Sequence, residues 1–155
     1  MKRFGLFRTG SLDYAVPIEQ LRKILQGVTV YRLPRLPRSV GAVLVDGGEL
    51  VPLLNLQGLM GGTSVLPDCL HCGYQVLVDS EYGTVALPAE ATGRIVPEQK
   101  GELSAVAEEL DSWVSGEFHY RDEKYRILDI DFLAIEMTQG FWREQPDTGG
   151  TRRLE

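Results

Sequence analysis

Two cysteines in the sequence are spaced as metal ligands or a redox pair could be. They form a C-x-x-C motif, Cys69-Leu70-His71-Cys72, and two thiolates at this spacing can chelate a metal ion or close a disulfide. A structural zinc site needs four ligands, and the only other histidine is the distant His119. The sequence therefore favours two ordinary reduced cysteines. A small redox or zinc-binding domain that uses Cys69 and Cys72 is the alternative function.

Acidic residues near the C-terminus and one histidine are the remaining candidates for chemistry. Asp129 and Asp131 are two positions apart, Glu136 follows, and carboxylates of this kind could hold a metal ion. At the end of a strand, however, such residues more often form a solvated edge. His119 could act as a general base, but no serine, cysteine or aspartate stands beside it in a recognisable arrangement, so a packed strand histidine is favoured. We therefore predict no catalytic residue, no metal and no cofactor.

The composition excludes several classes of protein. The chain has 155 residues, 43% of them hydrophobic and 25% charged, as in one soluble domain or two small packed ones. The net charge of −6 argues against a nucleic-acid surface, and no glycine-rich phosphate loop follows a predicted strand. No apolar run approaches the roughly 20 residues of a membrane span. We predict a cytoplasmic protein that binds no nucleic acid and does not insert directly into a membrane.

Short apolar runs bounded by Gly, Asp and Pro predict mainly β-structure. Three turn sequences, at Asp46-Gly47-Gly48, Glu81-Tyr82-Gly83 and Arg121-Asp122-Glu123-Lys124, each join two runs as a hairpin. The predicted strands are Phe4–Arg8, Thr29–Leu33, Val40–Val45, Leu50–Leu54, Tyr74–Asp79, Thr84–Leu87, Val114–Tyr120 and Tyr125–Ile130.

Two short segments have a helical pattern. From Pro17 to Leu25, a proline suited to a first helical turn is followed by an apolar face that includes Ile18, Leu21 and Ile24. The segment from Asp131 to Met137 is a second, weaker candidate. The sequence therefore predicts one or two short helices beside the strands.

An internal repeat indicates how the fold is assembled. Ala15-Val16-Pro17-Ile18-Glu19 followed by Lys23-Ile24-Leu25 matches, 71 residues later, Ala86-Leu87-Pro88-Ala89-Glu90 followed by Arg94-Ile95-Val96. Further on, Leu54-Asn55-Leu56-Gln57-Gly58-Leu59 matches Leu128-Asp129-Ile130-Asp131-Phe132-Leu133. One supersecondary unit is therefore predicted to occur twice. Each copy is too small to cover both faces of its sheet, so the two copies should form small barrels that pack together.

Several short segments, taken in order, carry a family resemblance: Tyr14-Ala15-Val16, Leu33-Pro34, Val40-Gly41, Val51-Pro52-Leu53-Leu54-Asn55-Leu56, Gly93–Val96 and Arg126-Ile127-Leu128-Asp129-Ile130. Over about residues 4 to 137, this order resembles the CheW family of chemotaxis coupling proteins. It implies a CheW-like domain at 1–140 with two packed five-stranded SH3-like barrels. The first barrel would span about 14–66 and the second about 73–137 with exchanged edge segments. A flexible tail would follow at 141–155.

The resemblance also implies a function without catalysis. Proteins of this family are scaffolds of chemosensory signalling that join the cytoplasmic tip of a chemoreceptor to the regulatory domain of a CheA-type histidine kinase, within a two-component pathway. Carried over residue by residue, the receptor-binding groove would consist of Ile18, Leu21, Ile24 and Leu87. The kinase-binding residues would be Val40, Val45, Asp46 and Gly47.

One turn departs from the family pattern. Where the family usually carries Asn-x-Arg-Gly, this chain has Leu44 at the asparagine position and the oppositely charged Asp46 at the arginine position. An inverted charge at an interface predicts altered partner specificity, and a carboxylate at a hairpin tip is expected to be exposed. Arg32, Arg35 and Arg38 leave two alternatives open, a basic strip for an acidic partner or a solvated connection between strands.

Overall fold

The protein is described by a computed structural model that covers residues 2–10, 12–32, 40–56, 73–91, 93–105 and 113–138. The predicted mainly-β class is confirmed. Two 3₁₀ turns, Ile18–Gln20 and Glu98–Lys100, lie between strands. The strands are β1 (Arg3–Thr9), β2 (Leu12–Pro17), β3 (Leu21–Gln26), β4 (Val40–Asp46), β5 (Glu49–Leu54), β6 (Tyr74–Ser80), β7 (Gly83–Ala89), β8 (Arg94–Pro97), β9 (Glu102–Ser104), β10 (Val114–Tyr120) and β11 (Glu123–Leu128), and helix α1 (Ile130–Met137) follows them.

The strands form two sheets, which we name the first and the second barrel. The first barrel has the order β3-β6-β7-β5-β4, and the second has the order β8-β1-β2-β11-β10-β9. Tyr31 closes the first barrel, because its N–H and carbonyl both bond to Val43 of β4, at 2.7 and 2.8 Å. In the second barrel, the turn Glu98–Lys100 joins the two outer strands β8 and β9.

The sheets divide the chain differently from the predicted ranges 14–66 and 73–137. Strands β6 and β7 pair within the first barrel, and β1 and β2 pair within the second. The chain passes from the second barrel to the first at Pro17–Leu21 and returns to the second barrel after Ala89. More than edge segments are therefore exchanged, because the whole hairpin of β6 and β7, predicted for the second barrel, belongs to the first.

The predicted duplication is confirmed by strand pairing. In each barrel one parallel pair stands among antiparallel ones: β2 pairs with β11 through Ala15 and Ile127, and β7 pairs with β5 through Ala86 and Leu53. Ala15 and Ala86 are equivalent positions of the sequence repeat. The order β8-β1-β2-β11-β10 in one barrel therefore corresponds to β3-β6-β7-β5-β4 in the other.

Three apolar cores hold the fold together. Side chains alternate across a strand, so each sheet turns one face into its own barrel and the other toward the second sheet. The interior of the first barrel contains Ala42, Leu44, Val51, Leu53, Leu77 and Ala86. The interior of the second contains Phe4, Leu6, Ala15, Val96, Phe118 and Ile127. The largest core lies between the barrels and includes Phe7, Tyr14, Val16, Val76, Val78, Leu87, Leu128, Ile130 and Leu133.

The predicted helix from Pro17 to Leu25 is wrong. The segment makes one 3₁₀ turn, Ile18–Gln20, and continues as strand β3, which pairs with β6 across a bulge between Leu21 and Lys23. An isolated helix of this length is marginal, whereas strand pairing with β6 provides hydrogen-bond partners for the backbone of this segment. The second predicted helix is confirmed as α1, which begins after Asp129, whose carboxylate accepts the N–H of Phe132 at 3.1 Å.

Candidate docking surfaces

The hairpin of β4 and β5 carries an exposed apolar surface at its tip. Val45 and Leu50 are directly opposite each other and are 51% and 45% exposed, whereas their neighbours Leu44 and Val51 point into the first barrel. Tyr31, 49% exposed, pairs with β4 two residues before Val45. Alternation places these three side chains on the same outer side of the hairpin. We name Tyr31, Val45 and Leu50 the hairpin face.

A two-glycine turn keeps this hairpin tight. Gly47 and Gly48 have φ values of 59° and 85°, in the region that other residues rarely adopt, as a two-residue hairpin loop requires. The turn places Asp46 directly opposite Glu49. The tip therefore combines apolar side chains with two neighbouring carboxylates.

Asp46 is less exposed than the sequence predicts. Its side chain is 17% exposed, and its Oδ1 atom lies 3.0 Å from Nζ of Lys23 on β3. This ion pair joins the two outer strands of the first barrel at one end. The charge that replaces the family's arginine is thus matched by a cation within the chain, which explains why the carboxylate is not fully solvated.

The residues predicted for kinase binding are only partly brought together. Val45 and Gly47 are exposed at the hairpin tip, but Val40 is 2% exposed and packs in the core between the barrels. Val40 therefore cannot contact a partner in this conformation. Leu50 and Tyr31 were missed. Strand alternation could have identified Leu50, because it lies opposite Val45, whereas the pairing of Tyr31 with β4 is long-range.

A second apolar surface lies at the junction of the barrels. Ile24 of β3 is 38% exposed, and its repeat equivalent Ile95 of β8 is 57% exposed. Ile95 pairs with Gly5, and a Cβ atom placed on Gly5 would lie 3.5 Å from Cδ2 of Leu21. The half-buried Leu21 packs against the core between the barrels. We name Leu21, Ile24 and Ile95 the groove patch.

The other two residues predicted for the receptor-binding groove, Ile18 and Leu87, do not belong to the groove patch. Ile18 is half-buried in the 3₁₀ turn before β3. Leu87 is 0% exposed and belongs to the core between the barrels, so its assignment to the groove is wrong for this conformation. Leu87 does lie on the outer side of the first barrel, but the second barrel covers that side. Ile95 was missed, although the repeat with Ile24 could have identified it.

The candidate residues for chemistry serve local structure. Asp129 caps α1, and Asp131 Oδ1 accepts the N–H of Glu81 at 2.8 Å, which ties the helix to the turn of β6 and β7. His119 is not packed; its side chain is 45% exposed, and Nε2 lies 3.2 Å from Oγ of Ser104. Within the described ranges, no three metal-ligating side chains form a cluster. Cys69 and Cys72 lie outside the described residues.

Among the titratable groups that the structure describes, Arg8 and Tyr125 have a shifted pKa, and in both the shift leads away from neutral pH. The hydrogen bond to Asp13 and the charge of that carboxylate raise the pKa of Arg8. Burial raises the pKa of Tyr125, and the charges of Asp13 and Glu123 add to this effect. Both groups therefore stay protonated at neutral pH and do not exchange a proton there.

Other predictions concern regions that are partly or wholly outside the described residues. Arg32 is exposed, but Arg35 and Arg38 of the predicted basic strip are not described, nor is the tail at 141–155. Among the helices of the described part, none has the length and apolar character needed to span a bilayer.

Comparison with known proteins identifies the family. The CheW-like domain matches residues 3–136, nearly the whole described chain. The crystal structure of the scaffolding protein TtCheW from Thermoanaerobacter tengcongensis is similar, with a TM-score of 0.67 and 17% sequence identity over 85% of this chain and 91% of that one. This likeness confirms the predicted fold of two SH3-like barrels. No curated protein matches the sequence. The chain belongs to the CheW-like domain family.

Proposed function

We propose that this protein is a non-catalytic, cytoplasmic scaffold that links chemoreceptors to a CheA-type histidine kinase. The observation that carries the proposal is the presence of two separate exposed apolar surfaces, the hairpin face and the groove patch, on one packed pair of barrels. A coupling protein must hold two partners at once, and exposed apolar side chains grouped on a rigid support are typical of docking sites. The proposed function needs no cofactor.

The hairpin face is the proposed docking site for the kinase regulatory domain. Of the predicted kinase-binding residues, Val45 belongs to this face and Asp46 and Gly47 adjoin it, whereas Leu50 and Tyr31 take the place of the buried Val40. A flat surface of two paired strands fits another sheet or barrel better than it fits a single helix. Burial of these three side chains would supply the apolar centre that stable interfaces require.

The groove patch is the proposed docking site for the cytoplasmic tip of a receptor. Chemoreceptor tips are helical, and a helix docks by laying apolar side chains into a groove. Ile24 and Ile95 are exposed on strands of different barrels, and Leu21 packs against the core between the barrels. The patch is thus held by both barrels.

Replacement of Ile24 by glutamate is expected to weaken receptor binding by at least about tenfold, because a charge would have to be buried against the apolar receptor helix. Ile24 is a better position for this test than Leu21, since its larger exposure leaves the fold intact. The affinity would be measured with receptor tips in nanodiscs. Leu103→Glu is the matched control, because Leu103 is 47% exposed on β9 and outside both surfaces. Equal affinities for the two variants would contradict the assignment.

Lys23 and Asp46 are expected to behave as a coupled pair. Asp46→Arg alone places two cations together and should lower the free energy of unfolding by about 1 kcal/mol, the upper range for an ion pair at a protein surface. The double change Lys23→Glu with Asp46→Arg restores an ion pair of reversed polarity and should recover this loss. Chemical denaturation of the four proteins in the cycle measures the coupling. Additive effects of the two changes would mean that the pair contributes nothing.

The double variant also tests partner specificity. It carries the arginine that the family usually has at this turn, and it keeps that arginine matched within the chain. We therefore expect it to bind the regulatory domain of a conventional chemotaxis kinase more tightly than the wild type does. An unchanged affinity would show that the charge at position 46 does not select the partner.

A further inference from the structure

The hairpins of β1–β2 and β6–β7 present equivalent backbone groups to the rest of the chain. Strands β1 and β2 close at the pair Thr9 and Leu12, and β6 and β7 close, 71 residues later, at the pair Ser80 and Gly83. In each hairpin, one carbonyl just before the turn and one N–H within the turn are bound from outside the hairpin. These groups are the carbonyls of Arg8 and Asp79 and the N–H groups of Gly10 and Glu81.

In the second barrel, a single residue binds both groups. The N–H of Glu90 donates to the carbonyl of Arg8 at 2.9 Å, and the carboxylate of Glu90 accepts the N–H of Gly10. Glu90 follows the last residue of β7, at the point where the chain leaves the first barrel for the second. It therefore ties the end of a strand of the first barrel to a hairpin of the second.

In the first barrel, two side chains bind the equivalent groups. Nε2 of Gln20 donates to the carbonyl of Asp79 at 3.3 Å, and Oδ1 of Asp131 accepts the N–H of Glu81 at 2.8 Å. Gln20 ends the 3₁₀ turn through which the chain enters the first barrel, and Asp131 belongs to α1, which follows the last strand of the second. Each of the two points where the chain crosses between the barrels is thus hydrogen-bonded to a hairpin.

These hydrogen bonds lie next to the strands that carry the groove patch. Gln20 directly precedes β3, which carries Ile24, and Glu90 lies shortly before β8, which carries Ile95. The apolar core between the barrels favours close packing without a preferred direction, whereas a hydrogen bond weakens steeply when its angle changes. The hydrogen bonds of Gln20 and Glu90 therefore restrain the orientation of β3 relative to β8, and with it the separation of Ile24 and Ile95.

We infer that Glu90 and Gln20 are positioning residues for the groove patch, and that they act through the orientation of the two barrels rather than through contact with the bound helix. The inference rests on the proposed function for the identity of that helix, a chemoreceptor tip. It adds that receptor affinity depends on how the barrels are oriented. The hairpin face lies within the first barrel, so kinase binding there should not depend on this orientation.

Two substitutions of Glu90 separate its hydrogen bond from its mere presence. Glu90→Ala removes the carboxylate that binds Gly10, whereas Glu90→Gln keeps an acceptor oxygen on a side chain of the same length. Glu102→Ala is the matched control, because Glu102 is an exposed glutamate on β9 and lies at neither crossing. Residual dipolar couplings of the backbone N–H groups would give the relative orientation of the barrels in the protein alone. Affinities for receptor tips in nanodiscs and for a kinase regulatory domain would be measured in parallel.

Glu90→Ala is expected to change the orientation of one barrel relative to the other and to weaken receptor binding by at least about threefold. Glu90→Gln and Glu102→Ala should match the wild type in both measurements, and all three variants should bind the kinase domain as the wild type does. Gln20→Glu, which puts a carboxylate in place of the amide that donates to Asp79, should resemble Glu90→Ala.

An unchanged orientation of the barrels in Glu90→Ala would overturn the inference, whether or not receptor binding were weakened. Equal effects of Glu90→Ala and Glu90→Gln would overturn it too, because the hydrogen bond to Gly10 would then not be responsible. A wild type that binds no receptor tip would overturn the proposed function and the link to the receptor. In that case the dipolar couplings of Glu90→Ala would still show whether Glu90 sets the orientation of the barrels.

Discussion

The variant Leu87→Glu is expected to be largely unfolded, with the free energy of unfolding lowered by more than about 4 kcal/mol. Leu87 is 0% exposed and lies in the core between the barrels with Tyr14, Val76 and Leu128 as fellow members. A carboxylate there would have neither water nor a cation, and domains of this size are stable by only about 5–15 kcal/mol. Chemical denaturation and near-UV circular dichroism would measure the loss.

Binding measurements separate this effect from a lost contact. If Leu87 acts only in the core, Leu87→Glu should abolish binding of the kinase domain and of the receptor together, whereas Ile24→Glu should spare kinase binding. Leu87→Met is the matched control, because it keeps the apolar volume and should cost less than about 1.5 kcal/mol. If the Leu87→Glu protein were folded and had lost only receptor binding, Leu87 would have to be assigned to the receptor-binding groove after all.

The variant Gly93→Ala is expected to lower the free energy of unfolding by about 3 kcal/mol, the upper range for overpacking. The backbone at Gly93 lies against β1, immediately before β8 begins to pair with that strand. A Cβ atom at this position would overlap the carbonyl oxygen of Leu6 and lie 2.6 Å from the ring of Phe7. The backbone of β1 cannot yield without breaking its ladders to β2 and β8. Thermal and chemical denaturation would give the change.

Gly73→Ala provides the comparison for this prediction. Gly73 also precedes a strand, but the nearest atom to an added Cβ is the carbonyl oxygen of Glu90 at 4.0 Å, an ordinary contact. This variant should change the free energy of unfolding by no more than about 0.5 kcal/mol. Similar losses in both variants would show that the flexibility of glycine, rather than close approach, is needed at these two positions.

Local chemistry explains which parts of the fold the sequence predicts. The hairpins at Gly47-Gly48, Glu81-Tyr82 and Arg121-Asp122 were predicted correctly, because a tight turn is encoded by the residues within it. Helix α1 was predicted from Asp131 to Met137, whereas the capping role of Asp129 became evident only in the structure. The repeat predicted a duplicated unit, and the matching parallel pairs confirm it.

Long-range pairing explains what the sequence did not predict. Strands β2, β3, β8 and β9 were missed, and β3 was assigned to a helix. Strands β3 and β8 pair with strands that are distant in the chain, whereas β2 forms a local hairpin with β1 that the sequence analysis overlooked. The predicted strand Thr29–Leu33 is reduced, within the described residues, to the single bridge at Tyr31.

The candidate docking surfaces were predicted in part for the same reason. The alternation of side chains along a strand correctly predicts that Val45 is exposed, but it also places Leu87 on the outer face of the first barrel. Only the packing of the second barrel shows that this face is covered. Residues assigned by family resemblance therefore needed the barrel contacts before buried positions such as Val40 could be separated from exposed ones.

The pairing of β1 and β2 with strands near the opposite end of the chain sets an order for folding during synthesis. Strands β3 to β7 lie within residues 21–89, so the first barrel can close as soon as that segment has left the ribosome. The N-terminal hairpin emerges earlier, but its neighbours β8 and β11 are among the last strands made. Until then the apolar faces of Phe7, Tyr14 and Val16 can be covered only by the finished first barrel. Pairing between strands that are far apart in the chain is slow. We therefore expect the first barrel to act as a template on which the second barrel assembles.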